Sequence, residues 1–187
     1  VCMRDLLTHI VGDLGAGGMD FLAVEFTGET IENATLDERI TLCSMVTEMS
    51  GKVPLIMPNG EVLKWLVERA GPEVAKLAEE LKADPDAEYV RTVEIDLSQI
   101  EPTVAFPHLP ENTKTIDECN GQVKIDQAVI GSCTNGRMED MRAAAEILKG
   151  RKVAKGVRCI VIPATQDIWL QSMHEGLFDI FVEAGAV

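Results

Sequence analysis

"VKIDQAVIGSCTNGRMEDMRAAAEILKGRKVAKGVRCIVIP", residues 123–163, is the stretch that decides the fold. Residues 123–131 are rich in apolar β-formers and end in glycine, which predicts a strand. From about 138 to 149 the apolar residues return at helical spacing, and Gly150 closes that helix. Residues 157–163 are a nearly unbroken apolar run, the pattern of a strand buried on both faces of a parallel sheet. Strand, helix, strand, with a further helix from about Thr165 to His174 and another at 177–184, predicts an α/β architecture with parallel neighbours.

The region upstream repeats the theme. Residues 3–14 place Met3, Leu6, Leu7, Ile10, Val11 and Leu14 on one helical face, and the glycines at 15, 17 and 18 close it. A strand is expected over 21–28. Thr35 and Glu38 form a capping box that opens a helix from Leu36 to about Met49. A short strand over 52–58 and helices at about 60–70 and 72–82 follow, the last with Pro72 in its first turn. Residues 89–97 alternate like a half-buried strand. Residues 101–117, with Pro102, Pro107 and Pro110, predict an extended connector. The expected domains are therefore 1–117 and 118–187.

Composition narrows the function. The chain has 187 residues, 46% hydrophobic, with 17 basic against 31 acidic residues and a formal charge of -14. An acidic surface repels phosphate backbones and anionic lipid, so nucleic acid and membrane surfaces are poor partners. No apolar run approaches the roughly 20 residues that span a bilayer. Five widely spaced cysteines, with no Cys-x-x-Cys pair, favour a reducing, cytoplasmic setting over a disulfide framework. The start inside a helical pattern, and the strand-like "VEAGAV" at 182–187, lead us to expect a fragment of a longer protein.

Cys133 stands at the strand end and the mouth of the next helix, where ligands gather in parallel sheets. Free amides and the helix dipole at such a place would favour a thiolate. Thr134 and Asn135 are able to cap the helix or bond to the sulfur. Packing, nucleophilic attack and metal binding are all open to such a cysteine. Ser44 and Glu48 lie four apart and share one helix face, with Glu48 near the C-terminal end where a carboxylate is disfavoured. Glu25 within "AVEFTG" and His108 between prolines have ordinary readings as a sheet-surface residue and a loop histidine. The "GAGG" at 15–18 lacks the strand-before, helix-after context of a phosphate loop.

"VIGSCTNGRMEDMRAAAEILKGRKVAKGVRCIVIPAT" (129–165) strongly resembles the aconitase superfamily around its first cluster cysteine. "AVEFTGETIENATLDERITLCSMVTEMSGK" (23–52) and "IEPTVAFPHLPEN" (100–112) resemble the same family. The resemblance covers essentially the whole chain. It is closest to the large subunits of the branch that holds 3-isopropylmalate dehydratase, homoaconitase and dimethylmalate dehydratase. It implies three-layer α/β/α domains with a mainly parallel sheet, here truncated.

It also implies a hydro-lyase that isomerises a hydroxy di- or tricarboxylic acid by dehydration and rehydration, with leucine biosynthesis the first pathway expected. In that family three cysteines hold a [4Fe–4S] cluster and one iron stays open as a Lewis acid. By resemblance Cys133 is the first of the three, with Thr134 and Asn135 beside the cluster. The other two lie in a Cys-Gly-Pro-Cys motif just past the "VEAGAV" stretch, so the chain alone is not expected to hold the cluster. Glu48 corresponds to a glutamate near the open iron, and Ser44 stands where many relatives carry asparagine. The family's early Asp-His motif lies upstream of residue 1. Its substrate-binding arginines and base serine belong to other regions or to a small, swivelling-domain subunit, the implied partner. Two other classes stay open: a cysteine-nucleophile enzyme using Cys133, and a non-catalytic module of subunit contact.

Overall fold

The computed structural model describes residues 2–187 and divides into two compact units, one ending at Glu118 and the other starting at Cys119.

The first unit is organised by α1 (Met3–Leu14). Its stripe of Leu6, Leu7, Ile10 and Val11 is buried against Leu42, Val46 and Met49, and Leu7, Leu42, Val46 and Met49 are wholly excluded from solvent. Asp5 fixes the start of this helix. Its carboxylate accepts from the Cys2 amide at 2.9 Å and from the Thr103 amide at 3.1 Å. Gly12 lies mid-helix, where glycine is unfavourable. A Cβ there would collide with the Thr113 hydroxyl, so the missing side chain admits a neighbouring strand.

Strand β1 (Ala23–Glu25) pairs in parallel with β2 (Val53–Leu55), Ala23 opposite Val53. Between them come α2 (Glu29–Asn33) and α3 (Leu36–Met45), the latter opened by the expected Thr35/Glu38 capping box. Helices α4 (Gly60–Ala70) and α5 (Glu73–Glu80) follow, with Pro72 as the N-cap of α5. Arg39 is buried to 5% exposure and ties the crossover together. Its guanidinium donates to the carbonyls of Ala34, Met57 and Glu32 and to Asn59 Oδ1. Burial holds its pKa below the ordinary arginine value, with Glu32 opposing that shift.

Two expectations fail in this unit. Residues 89–97 form no strand; Val90 is 87% exposed, and no described strand lies alongside to take up their backbone groups. The expected connector at 101–117 contains an antiparallel pair, β3 (Thr103–Ala105) with β4 (Thr113–Thr115). The prolines at 102, 107 and 110 flank the paired residues, so none removes a ladder donor. A four-residue helix, α6 (Ile116–Cys119), spans the boundary.

In the second unit β5 (Gln127–Ile130) and β6 (Arg158–Val161) pair in parallel, with Ala128 opposite Cys159 and Ile130 opposite Val161. Ala186 bridges Cys159 in parallel on the other side of β6; the Val187 amide donates to Cys159 and the Val161 amide to Val187. The strand character expected of "VEAGAV" is thus confined to its last two residues. Helices α7 (Met138–Leu148), α8 (Gln166–His174) and α9 (Leu177–Ala184) complete the unit. The core joins Met138, Met141, Ala144 and Ala145 of α7 to Cys159, Val161, Leu177 and Phe181. Alternation along β6 explains this: Cys159 and Val161 point to the helices, while Arg158 is exposed. Strand–helix–strand with parallel pairing in both units is the α/β class the sequence predicts.

Candidate functional site around Cys133

Strand β5 ends at Ile130, and the chain leaves the sheet through Gly131, whose φ of 106° is open to glycine. The loop 131–136 lies on the segment after β6. The Ile162 amide donates to Ile130 at 2.8 Å, and the Ala164 amide donates to Gly136 at 2.9 Å. A Cβ on Gly131 would overlap the Ile162 carbonyl, and one on Gly136 would stand 2.9 Å from the same oxygen. The two glycines therefore let the loop press against this backbone, which fixes where the intervening residues project.

Cys133 projects outward and is exposed, whereas Thr134 beside it is buried to 9% exposure. The sulfur's polar neighbour is the Thr134 hydroxyl at 3.8 Å. Ser132 holds the turn: its Oγ accepts from the amides of Thr134 at 3.2 Å and Asn135 at 3.4 Å, and its own amide donates to the Asn135 carbonyl.

The helix mouth differs from expectation. Two amides at its start, those of Gly136 and Arg137, are already bonded. Asp140, the third residue of α7, turns back so that Oδ2 accepts from the Gly136 and Arg137 amides, both at 2.9 Å. Asp140 Oδ1 accepts from Asn135 Nδ2 at 3.1 Å. Asn135 thus braces the capping carboxylate and neither it nor Thr134 caps the helix. A carboxylate already complements the positive end of the helix. The cue, an acid three residues after the N-cap, was present in "RMED" but the cap itself was not an Ser, Thr, Asp or Asn. Arg137, four residues after the thiol, has its Nε buried with no hydrogen-bond partner among the described residues.

In the first unit α3 does not run to Met49 as an α-helix. It ends at Met45 and tightens into a 3₁₀ turn, Val46–Met49, closed by Ser50 in the left-handed region at φ 63°. Tightening to three residues per turn turns Glu48 further from Ser44 than α-helical spacing would. Glu48 is exposed. Ser44 is half-buried and lines an apolar groove of ≈ 270 Å³ with Leu36, Ile40, Cys43, Ile56 and Val62. Its carbonyl accepts from the Thr47 hydroxyl at 3.1 Å. Glu25, half-buried on β1, accepts a hydrogen bond from the Tyr89 hydroxyl, and that bond raises the tyrosine pKa. His108 is exposed in the β3–β4 connection. The "GAGG" loop holds no free amide cradle at Ala16, whose N–H donates to the Glu111 carboxylate at 2.5 Å.

Among the described residues no group of three or more His, Cys, Asp or Glu side chains is arranged to hold a metal ion. Cys133 is a single exposed sulfur donor beyond the end of β5, a donor that suits one corner of a multi-cysteine cluster.

The profile of the Aconitase family (aconitate hydratase) matches residues 1–187, and the chain belongs to that family. Among curated relatives it is similar to the 3-isopropylmalate dehydratase large subunits of Halothermothrix orenii, at 54% identity, and Acetivibrio thermocellus, at 52%. Each alignment covers 98% of this chain and 42% of the relative. The subunit of the same name from Clostridium kluyveri is 50% identical over 98% of the chain and 43% of its own length. The chain thus spans about two fifths of these relatives.

Proposed function

We propose that this chain is part of the large subunit of a [4Fe–4S]-dependent hydro-lyase that isomerises a hydroxy di- or tricarboxylic acid. 3-Isopropylmalate is the substrate best supported, which places the reaction in leucine biosynthesis; homoaconitate and dimethylmalate are the neighbouring alternatives. The observation that carries the reading is the exposed Cys133 sulfur, held beyond the end of a parallel strand by a loop packed closely on the Ile162 backbone. It is supported by near-50% identity, across almost the whole chain, to subunits bearing that name.

In this reading Cys133 supplies one of three thiolate ligands, and Thr134 and Asn135 line the cluster. The cluster, when bound, supplies Lewis acidity that makes a substrate hydroxyl a feasible leaving group. The chain's own contribution is placement. Gly131 and Gly136 seat the loop, Ser132 holds its turn, and the Thr134 hydroxyl stands beside the sulfur. Glu48, exposed on its 3₁₀ turn, is assigned to the vicinity of the open iron, and Ser44 to a supporting place near it. A small subunit completes the enzyme. The five free thiols support a cytoplasmic setting, and no described helix is long and apolar enough to cross a membrane. The charge of -14 argues against nucleic acid or anionic lipid as a partner.

The alternative of a cysteine nucleophile is less well supported, because the sulfur's polar contact is the Thr134 hydroxyl, not an imidazole base. The test is anaerobic reconstitution of the full-length protein with iron and sulfide, with its small subunit, and assay of 3-isopropylmalate dehydration. We expect visible cluster absorbance and turnover, both lost in Cys133→Ser. Activity unchanged by that substitution, or no cluster in the wild type, overturns the proposal.

A further inference from the structure

We propose that Asp140 is a positioning residue for the Cys133 loop: one carboxylate ties the C-terminal arm of the turn that presents the sulfur to the start of α7. Three donors converge on it from the loop and the helix start, the amides of Gly136 and Arg137 on Oδ2 and the Asn135 side chain on Oδ1. Asn135 is two residues from Cys133, and its backbone is already bound to Ser132 on the other side of the sulfur. The chain of contacts runs from α7 through Asp140 and Asn135 to Ser132, and it passes around Cys133 without touching it.

The link to a cluster rests on the function proposed above; the link to loop geometry does not.

Amide hydrogen exchange of the chain tests this. In the wild type the Gly136 and Arg137 amides are expected to be protected, and so is the Ser132 amide, which donates to Asn135. Asp140→Ala should lose protection at all three while the Ala145 and Leu148 amides within α7 keep theirs. Asp140→Asn retains an oxygen for the two amides, so it should keep most of the protection. Unprotected Gly136 and Arg137 amides in the wild type overturn the proposal. So does a Ser132 amide that stays protected in Asp140→Ala with α7 intact. Should Asp140→Ala not fold, the wild-type exchange and the Asp140→Asn exchange decide. In the reconstituted full-length protein, Asp140→Ala should lose cluster absorbance to a chelator several-fold faster, and Asp140→Asn should restore most of the retention. A wild type that takes up no cluster counts against the function proposed above, while exchange still judges Asp140.

Discussion

The carbonyl oxygen of Ile162 occupies the space that a Cβ on Gly131 would fill, and Gly131 holds φ at 106°. Gly131→Ala therefore meets two penalties, backbone strain and a clash with a backbone atom that cannot swing aside. We expect a loss of about 2–4 kcal/mol in urea denaturation. Gly150→Ala is the control. Gly150 also has positive φ, but a Cβ there meets nothing within 4 Å, so only the strain of about 1–2 kcal/mol should appear.

Arg39 carries a different kind of cost. Arg39→Met removes the donor that serves the carbonyls of Ala34, Glu32 and Met57 together with Asn59, in a site with 5% exposure. Acceptors left unpaired there should lower stability by about 3–5 kcal/mol. Arg39→Lys should recover only part of this, because an ammonium cannot reproduce the guanidinium fork. Equilibrium denaturation followed by tryptophan fluorescence, with Trp65 in the same unit as reporter, checks the order wild type, Lys, Met.

Glu175 makes the stability of the second unit depend on acid. Arg142 donates to its carboxylate from Nε at 2.9 Å and from a terminal nitrogen at 2.7 Å, and Gln171 adds a third bond at 3.0 Å. These bonds, Arg142 first, depress its pKa to about 2. A carboxylate depressed on folding stabilises the native state above its unfolded pKa, about 4.3, and the contribution disappears as pH falls through the folded value. The difference between wild type and Glu175→Gln should be full at pH 6, smaller at pH 3 and absent near pH 1. It should also shrink in high salt, as the pair is exposed. Denaturation midpoints across that range test the sign.

The five thiols should separate by accessibility. Cys133 and Cys2 are exposed, Cys43 and Cys119 half-buried, and Cys159 is in the core. Alkylation in native buffer should modify the first two readily and Cys159 only on unfolding. Cys133→Ser should change stability by about 0.5 kcal/mol or less. Cys159→Ser, which places a hydroxyl among Met141, Val161 and Phe181, should cost about 1–3 kcal/mol. Peptide-level mass spectrometry and urea melts give both results.

Local patterns carried much of the architecture. The stripe in α1, the Thr35/Glu38 box of α3, the apolar run of β6 and the helices from Gln166 onward were legible because each is written within a dozen residues. So was the placement of Cys133 in a glycine-rich turn between a strand and a helix. The misreadings arose where a distant partner decides. Residues 89–97 alternate as a strand should, but alternation does not supply a neighbouring strand. Residues 103–105 and 113–115 pair because they find each other. The turn from α-helix to 3₁₀ after Met45 also escaped local pattern. At the site itself the sequence by itself determined which residue could be a donor and where the loop begins and ends. Only the tertiary structure decided that Ile162 seats the loop, that Asp140 bonds the amides at the helix mouth, and that Asn135 braces Asp140. The reason is physical: backbone preference acts within a few residues, whereas hydrogen-bond satisfaction and close packing are settled by whichever groups the fold brings within about 3 Å.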